Sequence, residues 1–248
     1  MSEALSDLAL LQCALDWDWG KSERNARRAI ELKPHYAWAH DQYAMILSAM
    51  ARHDDAVAVV RRAVELEPGL PVLRTPVAWM LFRARRYDEA IAECRKAVEL
   101  DPNLAVTYYW LGVIWGVVGN HDEAIPALET AHARIGATFA TLELARGYAA
   151  AGHHADCERV LADMQQTFDR DYAEPFGFAT VYAALGRSDE AFQWLERAAQ
   201  ARTGFFAVWV NGDPRLDSLS ADPRMTTLLR RMGLIPGTSR SDAPRYLV

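Results

Sequence analysis

Pro34, Pro68 and Pro102 stand at strict 34-residue intervals. Each closes a near-identical phrase: Ala-Ile-Glu-Leu-Lys-Pro, Ala-Val-Glu-Leu-Glu-Pro, Ala-Val-Glu-Leu-Asp-Pro. Self-similarity at that period, punctuated by proline, marks a stacked array of helix-turn-helix units. Such an array grows unit by unit, so ordinary domain sizes do not bound its 248 residues. It offers a surface before it offers a chemistry.

A second anchor recurs with the same period. Arg-His-Asp-Asp-Ala (52–56), Arg-Tyr-Asp-Glu-Ala (86–90), Asn-His-Asp-Glu-Ala (120–124) and Arg-Ser-Asp-Glu-Ala (187–191) are one device, and His153 to Cys157 is a degenerate copy that comes one residue early. Asp54, Asp88, Asp122 and Asp189 fall at helix starts, where a carboxylate can accept free backbone N–H bonds and suits the positive end of the helix dipole. The alanine that follows lets two helices approach closely.

These anchors predict six helix pairs. The first helices run over 3–15, 36–51, 72–84, 105–118, 139–151 and 175–185, and the second over 22–32, 55–66, 88–100, 123–134, 155–167 and 189–201. The second helices space apolar residues by three and four, as in Ala56, Val60, Ala63 and Val64, which gives one buried face. Each Glu-Leu-x-Pro phrase ends its helix, because the residue before proline is pushed out of helical geometry. After Pro102 the proline of the period gives way to Gly136.

Pro76 falls inside an expected first helix, where an interior proline costs ~3 kcal/mol. Thr75-Pro76 suits an N-cap and first helical residue. This helix is therefore expected to start late or kink, with 69–74 partly extended, either as a small variation of the repeat or, alternatively, as a widened groove entrance beside Trp79. An unbroken helix from Pro71 to Arg83 would overturn that.

Residues 3–201 resemble the tetratricopeptide repeat family. The match is strong in the middle four units. It is weaker in the fifth and in the first, which has Ser22 for the usual turn alanine. Tyr108, Leu111, Gly112 and Ala124 stand where the family favours Trp, Leu, Gly and Ala. With the ending described next and Asp16-Trp17-Asp18-Trp19, the chain looks like the C-terminal repeat region of bacterial multidomain signalling proteins.

The period stops after residue 202. Gly204 to Asn211 reads as an apolar capping segment. Asp213-Pro214-Arg215-Leu216 and Asp222-Pro223-Arg224-Met225 each read as a helix start with Asp as N-cap and Pro at the first helical position. Leu228, Leu229 and Met232 then cover the last unit, and Gly233 stops the helix. The expected organisation is an array over 1–201, a cap over 202–235 and a disordered tail over 236–248.

The resemblance implies an all-α right-handed solenoid whose first helices line a concave groove. Carried onto this sequence, the groove positions are Trp38, Asp41, Gln42 and Met45; Trp79, Phe82 and Arg83; Tyr109, Trp110 and Val113; and Phe139, Leu142, Glu143 and Arg146. Trp38, Trp79, Phe82, Tyr109 and Trp110 would make its centre aromatic, a composition enriched at binding hot spots. Asp41, Glu143 and Arg146 would set its polarity. Asp41, Met45 and Trp110 replace several residues of the family's carboxylate clamp, so chaperone tails are not the expected ligand.

The rest narrows the function. The net charge is −6 with no run of Lys and Arg, which disfavours nucleic acid. No stretch reaches the ~18 apolar residues of a membrane helix, and no signal peptide is evident. Cys13, Cys94 and Cys157 fall at core positions and suggest small buried thiols in a reducing cytoplasm. His53, His121 and His154 recur with the repeat, as structural residues do. No phosphate loop, dinucleotide fingerprint or nucleophile elbow appears. The reading is a non-enzymatic, cofactor-free scaffold that binds a protein or peptide in the groove, with self-association as a further possibility. The alternative is the regulatory arm of a bacterial signalling enzyme or transcription regulator.

Overall fold

The computed structural model describes residues 1–171, 175–202 and 206–235. The tail expected to be disordered, 236–248, and the first two residues of the capping segment lie outside them. Six helix pairs follow one another: α1 (Ser2–Leu11) with α2 (Trp19–Leu32), α3 (Ala37–Ala49) with α4 (His53–Leu66), α5 (Arg74–Arg83) with α6 (Tyr87–Leu100), α7 (Ala105–Val117) with α8 (His121–Ile135), α9 (Thr138–Ala150) with α10 (His154–Asp171) and α11 (Pro175–Ala184) with α12 (Ser188–Ala201). Each first helix packs on its own second helix and on the next first helix, so the architecture is an all-α repeat solenoid.

The prolines work as the sequence implies. α2, α4 and α6 end two residues before Pro34, Pro68 and Pro102, and the intervening Lys33, Glu67 and Asp101 have left helical geometry, with φ of −144°, −136° and −144°. The small turn residues are also where expected. Ala56, Ala90, Ala124 and Ala191 are buried. Ser22 is buried too, and its hydroxyl donates to the Ala9 carbonyl, which explains how a serine substitutes there. At Gly112 a Cβ would lie 2.4 Å from Leu128 Cγ, so only glycine permits that approach.

The turn carboxylates act differently from the expectation. No N-cap side chain accepts a backbone N–H at the starts of α4, α6, α8 or α12. The N-caps are Arg52, Arg86, Asn120 and Arg187, and the acids lie within the first turn. Three N-cap arginines instead pair with the acid three residues on: Arg52 with Asp55, Arg86 with Glu89 and Arg187 with Glu190. The acids therefore serve the helix dipole and these exposed pairs.

Another conformational period runs through the turns. Trp17, Ala51, Arg85, Gly119, Gly152 and Gly186 all have positive φ. The non-glycine members disguise this position in the sequence. Ahead of Trp17 the regular α-helix ends at Leu11 and a π turn, Gln12–Asp16, carries the first helix one residue past its expected end.

At Pro76 the late start holds only for the α-helix proper, because helical geometry runs without a break from Pro71 to Arg83. α5 begins at Arg74, and Leu70 is extended. Pro71–Leu73 is a 3-10 turn, however, and Thr75 does not cap: its hydroxyl is buried without a partner. Pro76 is the third helical residue, where a helix has no intrahelical acceptor for its N–H anyway.

Beyond α12 come α13 (Phe206–Trp209), a 3-10 helix over Pro214–Leu219, and α14 (Pro223–Arg231). Asp213 and Asp222 cap the last two, accepting from the backbone N–H of Arg215 and Arg224, and Gly233 has φ +71°. α14 lies along α12 through Arg224–Asp189 at 2.7 Å and Arg231–Glu196 at 2.8 Å, with Leu228 and Met232 buried. The cap also reaches the opposite end of the array. Trp19 Nε1 donates to the Met232 carbonyl at 2.7 Å, and the Arg202 guanidinium lies 4.4 Å over the Trp17 ring. The solenoid curls until its two ends meet.

Candidate functional site: the concave face

The first helices bring together most of the expected groove residues. Trp79 stacks on Trp110 at 5.6 Å, Phe82 meets Trp110 at 5.9 Å, and Tyr109 meets Trp110 edge-on at 5.3 Å. Phe139 joins from α9 at 5.3 Å from Tyr109. Trp38 stands apart from this cluster at the start of α3 and is 39% exposed. Met45 and Gln42 are half-buried.

The cluster is covered by the chain itself. Trp79, Phe82, Tyr109, Trp110 and Val113 are all buried, and so are Asp41, Arg83, Glu143 and Arg146. What covers the α5-to-α9 stretch is the segment from α13 through the 3-10 helix. Trp209 packs edge-on against Trp79 at 6.3 Å and against Phe176 at 5.4 Å. Arg83 donates to the carbonyls of Trp209 and Asn211. Asn211 donates to the Ala49 carbonyl at 2.8 Å. No widened entrance opens beside Trp79, because Trp209 occupies that side.

A buried ionic network locks the segment. Arg215 pairs with Asp213 at 2.9 Å and with Glu143 at 3.0 Å, and Arg83 reaches Asp213 at 3.5 Å. Glu143 also holds Arg146 on its own helix. The Arg215 guanidinium lies 5.2 Å over Phe176 and 5.9 Å over Trp209. Burial works against the Asp213 carboxylate, yet Arg215 and Arg83 hold its pKa below the usual value. Burial brings Arg83 down to about 10, which leaves it charged at neutral pH. Arg146 rests against Gly116, where a Cβ would lie 2.9 Å from Nη2.

Asp41 is the exception. It is 3% exposed, and its Oδ1 has no hydrogen-bond partner. Burial alone pushes its carboxyl up to about 7. A residue expected to set the polarity of an open groove is in fact an isolated buried acid.

Trp209, Asn211, Asp213 and Arg215 were not among the expected site residues. The signal that could have found them is the duplicated Asp-Pro-Arg phrase, because both copies are one device. In each, the aspartate caps the helix and pairs with the arginine two residues on. In each, the guanidinium lies over an aromatic ring and reaches a second acid: Phe176 and Glu143 for Arg215, Phe192 and Asp189 for Arg224. One copy is buried in the concave face, and the other is half-exposed on α12.

The thiols are buried, as their positions implied. Burial raises Cys13 to about 12 and Cys157 to about 11. His53 packs beside Ser48 at 3.2 Å, and burial with the Arg83 charge lowers it to about 4. Among the described residues no helix is long and apolar enough to cross a membrane.

Comparison with known proteins agrees with the architecture. Family profiles described as tetratricopeptide repeat match residues 39–69 and 77–104. No curated protein matches the sequence. Among solved structures, PilW, a widely conserved type IV pilus biogenesis factor, is 20% identical with a TM-score of 0.59, over 92% of this chain and 98% of that one. A chain of the APC/C hetero-tetramer Cut9-Hcn1 is 12% identical with a TM-score of 0.60, over 94% of this chain and 42% of that one. TTC0263, a thermophilic TPR protein of Thermus thermophilus, is 15% identical with a TM-score of 0.53, over 95% of this chain and 100% of that one. At these identities the likeness establishes the fold.

Proposed function

The chain is a tetratricopeptide-repeat protein, and we propose that it is a non-enzymatic interaction scaffold whose concave face holds a peptide segment. The observation that carries this reading is the placement of residues 206–219. Arg83 takes two of the segment's carbonyls, Trp209 sits among Trp79 and Phe176, and Arg215 pairs with Glu143. These are the contacts a bound peptide makes: main-chain hydrogen bonds for affinity, a ring and a charge for selectivity. In this conformation the chain supplies that peptide itself. Trp79, Tyr109 and Glu143 are committed to it, and Phe82, Trp110, Val113 and Arg146 are buried around them. A partner then meets what remains of the face, Trp38, Met45 and the first helix.

The test is photo-crosslinking from the full chain in its native host. A photoreactive residue at position 38 or 45 is expected to capture a partner protein, whereas one at the exposed convex position 62 is not. Capture from position 62 alone, or from none of the three, would overturn the reading.

A further inference from the structure

The first helix leaves a leucine stripe open. Leu8, Leu11 and Leu15 are 43%, 54% and 45% exposed, at a helical spacing of three and four. They lie opposite the stripe that α1 and its π turn bury, Ser2, Ser6, Ala9 and Cys13. Leu8 and Leu11 stand one 34-residue period before Gln42 and Met45, so the stripe continues the row of groove positions. The chain's own segment packs on α3, on the π turn and on the helices from α5 onward, yet leaves Leu8, Leu11 and Leu15 about half-exposed.

Three features fix the occupant. The first is charge: residues 1–20 hold Glu3, Asp7, Asp16 and Asp18 and no Lys or Arg. Glu3 pairs with Lys33 and Asp18 with Lys21; Asp7 accepts from the Gln42 amide, Arg202 donates to the Leu15 carbonyl, and among the described residues neither Asp7 nor Asp16, on the flanks of the stripe, is in an ion pair. A second copy of α1 would oppose acid to acid, and a basic helix would not. The second is area: three half-exposed leucines amount to a few hundred Å², well below the ~800 Å² per partner of a standard stable dimer. That is enough for about two turns of one helix. The third is the chain's own practice: next to this stripe the face already takes a short apolar helix, α13, followed by an arginine set on an acid.

We propose that the Leu8–Leu11–Leu15 stripe docks an amphipathic helix of a partner protein whose leucine-type face is flanked by Lys or Arg. This rests on the scaffold reading above and names the class of partner. The probes are two 18-residue synthetic helical peptides with the same leucine stripe, one with Lys flanks and one with Glu flanks. They are titrated into the full-length protein by fluorescence anisotropy at 0.15 M salt.

The Lys peptide is expected to saturate, and the Glu peptide to bind at least tenfold more weakly. Leu8→Gln with Leu11→Gln, which changes no charge on an exposed face, is expected to weaken the Lys peptide at least tenfold with unchanged circular dichroism. Asp7→Asn with Asp16→Asn is expected to weaken it several-fold. Failure to saturate, equal binding of the two peptides, or equal binding by the leucine variant would sink the proposal. So would sedimentation showing that the protein self-associates through these leucines. A partner crosslinked from position 38 or 45 alongside a failed peptide titration would leave the scaffold reading standing and remove only this one.

Discussion

Asp41 shows most clearly how a single residue can oppose the fold that contains it. Its counterparts one to three periods on are Thr75, Tyr109 and Glu143, and the row divides. Arg215 serves Tyr109 and Glu143, whereas Asp41 Oδ1 and Thr75 Oγ1 are buried without partners. An unpaired carboxylate in such a place is stable chiefly as the neutral acid. Its folded pKa is about 7, against ~3.9 in the unfolded chain. Between those values the folded state holds a proton that the unfolded state has lost. Stability should therefore fall as pH rises from about 4 to about 7, and stay level above that. The difference amounts to on the order of 4 kcal/mol at most. Asp41→Asn should abolish that slope. Urea denaturation at pH 4.5 and pH 8 should show the variant gaining stability at pH 8 and little at pH 4.5. Parallel pH profiles for the two proteins would mean that Asp41 is ionised and satisfied.

At the scale of elements, the two Asp-Pro-Arg phrases form an internal control. Their local geometry is the same, and only their burial differs. Arg215 is enclosed with Asp213 and Glu143, so removing it breaks two buried pairs and leaves Asp213 only Arg83 and Glu143 only Arg146, a loss of up to about 3–5 kcal/mol for a broken buried pair. Arg224 makes equivalent bonds at a half-exposed surface, where such pairs contribute about 1 kcal/mol or less. Arg215→Met should therefore lower the unfolding free energy by several times more than Arg224→Met. It should also speed hydrogen exchange in 206–219 ahead of the helix pairs. Equal effects from the two substitutions would show that the buried network contributes no more than the surface one.

For the whole molecule, the sequence was legible wherever an effect was local and repeated. Pro34, Pro68 and Pro102, the turn alanines, Asp213, Asp222 and Gly233 each act within a few residues, and their helix pairs and stops follow directly. The occupancy of the concave face was not legible, because nothing in residues 206–219 encodes a destination. Trp209 can fill a cap or a groove equally well, and Arg83 has the pattern of a groove-lining arginine until Asn211 and Asp213 are placed on it. The contacts that decide the matter join residues 72 to 213 positions apart, from Arg215–Glu143 to Trp19–Met232. Those same contacts change how the array should unfold. A plain solenoid holds together through nearest neighbours and can lose its units one by one. Here a central segment touches α3, α5, α9 and α11, and the cap ties the last unit to the first. No unit can leave without exposing the segment's buried rings, so the chain should unfold in one cooperative step. Tryptophan fluorescence and far-UV circular dichroism followed through the same urea titration should then trace coincident curves with a single midpoint. Separated midpoints, with fluorescence changing first, would show the segment leaving an array that stands without it.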